Sequence, residues 1–443
     1  MSYASAIEQL KAMTPELYTL PGQPRRKFSL DEIGVLLNEL GNPHRRLRSV
    51  LIAGTNGKGS TASTLASILT ASGLRAGLYT SPHLARVNER IRIGEAEIAD
   101  DAFGELFYRV HNTAVRLVES GNLPQLPSFF EVLTAMGLLY FAEAKVDVAV
   151  LEVGMGGRLD ATNIVDPLLS VITDISLDHT EWLGSTIAAI TREKAGILRR
   201  GGTLITLPQL AEANQVMGEV AAELDVRGVN AAAYMPATAA GGAEVYEIDA
   251  LGESILVASP LRGLHQQRNV ALAIAAAVEL KSAHGLPITP ASIAAGIRQT
   301  RWPGRLERIE SHGVTWILDV AHNPAGAWAL RAGLSGLEES RPRTLIFSCL
   351  RDKPMAEMAQ ILFPLFEQVI LAPIHSSRAA AMEDLEAAAK ATGNMAVKTD
   401  SVRQAVETAR ERGAGGVVVV SGSVYLVAEA RSLLLDAEPG GVV

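Results

Sequence analysis

Short apolar runs alternate with longer stretches of helical periodicity along most of this chain. Val50-Leu51-Ile52-Ala53, Ala76-Gly77-Leu78-Tyr79, Val146 to Val153, Leu169 to Thr173 and Thr203 to Leu207 are rich in leucine or β-branched residues. Each gives way to polar or glycine-rich residues, which predicts buried strands. Between them, Thr61 to Ser72 places Ala62, Leu65, Ala66 and Leu69 at helical spacing, with Gly73 as a stop. A second series follows Trp302-Pro303-Gly304, with strands expected at Thr315 to Val320, Thr344 to Ser348, Gln368 to Ala372 and Val417 to Val420. Such alternation is the mark of βαβ units and mostly parallel sheets. The expected fold is therefore α/β, with a larger, mostly parallel-sheet domain over residues 1–298 and a smaller α/β domain over residues 299–443. The Ala- and Gly-rich segment Ala231 to Gly242 is expected to be an exposed excursion of the first domain.

Composition narrows this little, since 443 residues with 48% hydrophobic and 20% charged side chains describe an ordinary globular protein. Charge is more informative: 48 acidic against 40 basic residues, a net −8, argues against a broad nucleic-acid surface yet leaves room for a small basic pocket. Cys349 is the only cysteine, so no disulfide forms within the chain. The first residues lack the basic start and apolar stretch of a signal peptide. The alanine-rich run Val270 to Val278 has nine residues, where a bilayer span needs about 20. A cytoplasmic monomer without nucleic-acid or membrane partners is expected.

The strongest chemical signal is Gly54-Thr55-Asn56-Gly57-Lys58-Gly59-Ser60-Thr61, after an apolar strand and before an amphipathic helix. Glycines let backbone N–H groups turn onto an anion, the helix start adds its positive end, and Lys58 can reach outer phosphates. The match to G-x-x-x-x-G-K-[ST] is imperfect: Ile52 replaces the first glycine and Gly59 follows the lysine, leaving Ser60 or Thr61 to supply the hydroxyl. Further strand ends carry Ser81-Pro82-His83, Glu152, and Asp178-His179, and ligands in open α/β sheets sit beyond such ends. Glu152 closes a buried strand and needs a partner, either Mg²⁺ or a base such as Arg158. Asn88-Glu89-Arg90-Ile91-Arg92 reads as a loop over the site or as a solvated edge. Lys194 reads as a cation near a helix end. In the second series Asp319 and His322 end a strand, while Asn269 and Arg305 flank the expected boundary.

These segments together resemble the folylpolyglutamate synthase and dihydrofolate synthase family, within the ATP-dependent amide ligases that include the muramyl-peptide ligases. The resemblance is carried by Gly-Thr-Asn-Gly-Lys-Gly-Ser (54–60), Ser-Pro-His-Leu (81–84), Ser-Phe-Phe-Glu (128–131) and Glu-Val-Gly-Met-Gly-Gly-Arg-Leu-Asp-Ala-Thr-Asn (152–163). It continues through Asp-His-Thr (178–180), Glu-Lys-Ala-Gly-Ile (193–197), Pro-Gly-Arg (303–305) and Asp-Val-Ala-His-Asn-Pro (319–324). Two departures stand out. Ser128 replaces a usual threonine, and Lys353 precedes Pro354 where an acid is common, which touches only a loop of the second domain.

The resemblance implies a P-loop parallel-sheet ATPase domain followed by a smaller, Rossmann-like α/β domain, with ATP and Mg²⁺ between them, and phosphorylation of a dihydropteroate or reduced-folate carboxylate before attack by L-glutamate. It implies Ser81, Glu152 and His179 as metal ligands and Asn269, Arg305, Asp319 and His322 as nucleotide contacts. It also implies a carbamylated Lys194 holding a second metal. Asp319 or His322 is the candidate to deprotonate the glutamate ammonium. Pro82, His83, Phe129, Phe130, Glu131 and Ser423 are candidate substrate contacts, with core packing equally open to the two phenylalanines. A muramyl-peptide ligase would carry a further amino-terminal domain, for which the 53 residues before Gly54 are too few. A nucleotide-binding regulator without ligase activity is the remaining alternative.

Overall fold

The computed structural model describes residues 2–13, 29–236, 245–335, 342–412 and 416–435. Its first half is built on β1 (Ser49–Ala53), β2 (Ala76–Tyr79), β3 (Ile91–Ile93), β4 (Ala96–Glu97), β5 (Val148–Glu152), β6 (Leu169–Ile172), β7 (Thr203–Thr206) and β8 (Arg227–Asn230). They lie in the order β4-β3-β2-β5-β1-β6-β7-β8. The six strands from β2 to β8 pair in parallel, while β3 and β4 add an antiparallel edge. Side chains alternate across a strand, and here both faces are apolar. Leu51, Ala53, Ala149, Leu151 and Ile172 enter one core, whereas Val50, Ile52, Val148, Val150 and Val171 enter the other. Burial on both faces explains why these strands read as unbroken apolar runs.

β9 (Val245–Ala250) and β10 (Glu253–Ala258) form a hairpin that adds Ile248, Ile255 and Val257 to the second core. The helices Leu264–His284 and Pro290–Gln299 pack there against the helix Lys58–Ala71. The second sheet contains β11 (Glu307–Ser311), β12 (Val314–Asp319), β13 (Arg343–Phe347), β14 (Gln368–Leu371), β15 (Ala396–Lys398) and β16 (Val417–Ser421). Its order is β11-β12-β16-β13-β14-β15, and only β11 runs antiparallel. The same alternation divides its faces: Leu345, Phe347, Val417 and Val419 in one core, Ile346, Val418 and Val420 in the other. This is the expected α/β class, with two parallel-rich sheets in succession.

Two expectations need adjusting. Ala231–Tyr234 forms a short 3-10 helix whose Ala231 is fully buried, so the proposed excursion does not begin there. Residues 237–242 of that segment lie outside the described residues. β3, β4, β8, β9, β10, β11 and β15 were not foreseen; they are short, polar on one face, or both.

Candidate active site

Helix start and strand end together build the phosphate loop. β1 ends at Ala53, residues 54–57 turn, and the helix Lys58–Ala71 begins. Gly57 has φ +90°, and a Cβ there would run into Asn269 Oδ1, so glycine is required both by conformation and by the closeness of the helix Leu264–His284. Backbone N–H groups of Thr55 and Asn56 donate to the Asp174 carbonyl, tying the loop to the end of β6. Asp174 is itself paired with Arg268 at 2.6 Å. Lys58 Nζ donates to the carbonyls of Gly54 (3.2 Å) and Thr55 (3.1 Å), closing the loop on itself.

A cavity of about 560 Å³ opens at this loop between the carboxyl ends of the two sheets. From the first half its walls include residues 54–60, Ser81, Pro82, Glu152, Asp178, His179, Lys194 and Asn269. From the second come Arg305, Asp319 and His322. Seventeen of the candidate residues therefore meet on one surface although they are scattered from position 54 to 322. Thr61 does not reach it, being fully buried in the helix; Ser60 does.

The charged groups are held in distinct ways. Glu152 is buried and accepts from the Ser81 N–H at 3.1 Å. Burial raises its carboxyl above the usual range, against the opposing charges of Lys58, Arg305 and Arg90. Arg158 is not its partner, because that guanidinium pairs with Glu193 at 2.9 Å. Lys194 is also buried, donates to the Gly54 carbonyl at 2.7 Å, and is pulled down to about 7 by burial and then by Lys58. It is thus no solvated helix-end cation. His179 and His322 are both held below the usual imidazole range, chiefly by burial, so each is neutral at pH 7. His322 Nδ1 lies 2.9 Å from the Val320 carbonyl, a partner for an N–H, which leaves Nε2 as the acceptor. Both Asp319 oxygens are engaged, by the backbone N–H groups of Leu306 and Ala321 at 2.9 Å each.

These groups fit a magnesium nucleotide. Ser60 Oγ, two residues after Lys58 and one beyond the usual hydroxyl position of a phosphate loop, is buried without a hydrogen-bond partner and so is available to a metal. Glu152, Ser81 and Ser60 form a sparse all-oxygen set; Mg²⁺ keeps waters and phosphate oxygens in its remaining positions. Among the described residues no cluster of three or more His, Cys, Asp or Glu suggests a self-contained metal cage.

The remaining candidates lie elsewhere. His83 is buried, accepts from Arg90 Nε at 2.8 Å, and lines a second cavity of about 600 Å³ that shares Ser81, Pro82 and Arg305 with the first. Phe130 is core, edge-on to Tyr79 at 6.0 Å, and Phe129 lies under the Arg90 guanidinium at 5.1 Å; neither forms a wall of either cavity. Glu131 accepts from the N–H and hydroxyl of Ser128 and caps the helix Phe129–Glu143. Ser423 caps the helix Val424–Leu434. Sequence reasoning gave Asp174, Arg268 and Asn323 no role of their own, although Asn323 stands in the Asp-Val-Ala-His-Asn-Pro motif, and it saw in Lys353-Pro354 only a departure in a loop of the second domain. Lys353 in fact makes a 2.8 Å ion pair with Asp178. The Asp-His-Thr motif was the one signal that pointed towards it.

The fold and the cavity together define a nucleotide-dependent ligase of two domains. The Mur ligase middle domain matches residues 52–277, and the Mur ligase glutamate ligase domain matches residues 304–424. Folylpolyglutamate synthase of Lacticaseibacillus casei is 37% identical over 91% of this chain and 94% of its own. Dihydrofolate synthase/folylpolyglutamate synthase of Bacillus subtilis is 33% identical over 92% and 95%. The Mycobacterium tuberculosis folylpolyglutamate synthase structure complexed with ADP and AMPPCP superposes with a TM-score of 0.87, at 32% identity over 99% of this chain and 100% of that one. The chain belongs to the folylpolyglutamate synthase/dihydrofolate synthase family of ATP-dependent glutamate ligases.

Proposed function

We propose that this protein joins L-glutamate to the carboxylate of dihydropteroate or a reduced folate, using ATP, through an acyl phosphate formed in the cavity between the two sheets. The observation that carries this reading is the meeting of the phosphate loop, Glu152 and Lys194 with Arg305 and His322 on one surface. An acceptor carboxylate oxygen attacks the γ-phosphorus and ADP leaves. The glutamate amine then attacks the acyl carbon, and phosphate departs with the oxygen it took.

Amides of residues 57–60 and Lys58 hold the phosphates, while Arg305 faces the charge that develops in transfer. Bound Mg²⁺ would neutralise phosphate charge; Ser81, Glu152 and Ser60 are the residues to hold it, with His179 alongside. Asn269 and Asp319 shape the nucleotide side, Asp319 by fixing the turn after β12. His322 Nε2 accepts the proton that the glutamate ammonium must lose. Lys194 has the neutral amine that CO₂ requires, and its carbamate would supply a further metal ligand.

The acceptor enters from the second cavity. Six arginines line it, Arg92, Arg262, Arg301, Arg305, Arg308 and Arg431, against three glutamates, which favours a substrate bearing carboxylates. Pro82 and His83 are its contacts on the first domain. The domain boundary is proposed at 298/299, at the last residue of the helix Pro290–Gln299 and ahead of β11. Among the described residues no helix is long and apolar enough to cross a membrane. A cytoplasmic protein remains the expected form, from the single cysteine, and a monomer is proposed with it.

The test is a panel of dihydropteroate and reduced folates with labelled L-glutamate. Label should enter the pterin product only with ATP and Mg²⁺, and should fall by at least tenfold in Lys58→Ala. ATP cleavage without label transfer would leave a nucleotide-binding protein of another kind.

A further inference from the structure

Asp178 belongs to the loop after β6, yet three groups of the second sheet gather on it. Lys353 Nζ donates to Oδ1 at 2.8 Å, Asn323 Nδ2 donates to Oδ2 at 2.9 Å, and His322 Nε2 lies 3.8 Å from Oδ2. Asn323 reaches further: its Nδ2 also donates to Asn56 Oδ1 in the phosphate loop at 3.1 Å. Its own Oδ1 accepts from Gly326 N–H at 2.8 Å, capping the helix Pro324–Leu334. One carboxylate thus ties the loop carrying Lys353 and the start of that helix to His179 and the phosphate loop.

The Lys353–Asp178 pair is nearly sealed from water, its side chains 6% and 9% exposed. Other ion pairs, such as Arg192–Glu219 at 55% and 44%, are open to solvent. Burying two charges costs desolvation that their attraction only roughly repays, so such a pair is poorly explained by stability alone. What it supplies is a fixed geometry. Asp178 lines the nucleotide cavity, whereas Lys353 does not. Lys353 therefore stands behind the site and acts through its partner.

We propose that Lys353 is a positioning residue: its ion pair with Asp178 locks the second domain in the register that brings His322 and Arg305 to the phosphate loop. This rests on the reading that the shared cavity is the ligase site, and the test separates the two. The full chain is compared with Lys353→Met, Asp178→Asn, the double variant and the conservative Lys353→Arg. Small-angle scattering of the free protein reports domain register, and steady-state kinetics report kcat and the glutamate KM.

A single lock predicts a larger radius of gyration in the first three variants and at least tenfold lower kcat in each. The double should be no worse than either single, because both remove the same coupling. Lys353→Arg should restore both readouts, and the glutamate KM should stay within about twofold. Losses that multiply in the double variant, or an unchanged particle size, would overturn the lock. So would a rise in glutamate KM alone, which would place Lys353 on the substrate. Lys353→Gln, which keeps a donor for Asp178, replaces the methionine variant if that fails to fold. Should the wild-type chain show no glutamate transfer, the proposed reaction fails, and scattering alone still decides the lock.

Discussion

Lys194 shows how much chemistry a single buried side chain can carry. Its ordinary value of 10.5 falls to about 7 in the fold, through burial first and then the Lys58 charge. Between those values the unfolded chain holds a proton that the folded chain has released, so stability must rise with pH across that window. Below about pH 7 both states are protonated and the contribution is flat. In metal-free, CO₂-free buffer, urea unfolding should show a gain on the order of 2 kcal/mol between about pH 7 and pH 9. Lys194→Met should flatten that part of the curve; equal slopes in the two proteins would show that the amine is not neutral in the fold. The same neutral amine can add CO₂, releasing a proton, and carbon-13 bicarbonate should then give a carbamate resonance that Lys194→Met lacks. The sequence alone could not have shown this. Lys194 reads as a solvated helix-end cation, and only its packing beside the Gly54 carbonyl reveals otherwise.

At the scale of elements, the parallel strands were legible because burial on both faces leaves an unbroken apolar run, and β1, β5, β6 and β16 fall within a few residues of their expected bounds. β4 and β11 were not, since an edge strand has one wet side and few residues, and its pattern resembles a polar loop; β3, beside that edge, is only three residues long. The phosphate loop was legible despite its departure from the usual pattern, because its context of strand, glycines and helix is what anion binding needs. Gly57 offers a direct test of that geometry. Gly57→Ala should weaken nucleotide binding at least tenfold, as the methyl group meets Asn269 Oδ1. Gly73 has a similar φ of +78° but open space around it, so Gly73→Ala should pay only backbone strain, roughly 1 kcal/mol, and bind nucleotide normally. Calorimetric titration of both variants checks this. Equal nucleotide affinity in the two would remove the close approach of Asn269 as the reason for glycine.

Over the whole molecule, neither half holds a complete site. The phosphate loop, Glu152 and Lys194 come from the first sheet, Arg305, Asp319 and His322 from the second, and the second cavity, proposed for the acceptor, shares Ser81 and Arg305 with the first. Sequence reasoning reached this division because each domain announces its strand ends with polar residues after an apolar run. It missed the ion pair that joins the halves, since Lys353 and Asp178 stand 175 positions apart and nothing local marks either as the other's partner. Bringing acceptor carboxylate and γ-phosphorus together in that shared space is the central claim, and the fate of one oxygen atom tests it. With both carboxylate oxygens of the pteroate acceptor labelled with oxygen-18, each turnover with ATP and L-glutamate should release phosphate carrying one labelled oxygen. Phosphate free of label, formed at the same rate as the glutamyl product, would contradict transfer through an acyl phosphate.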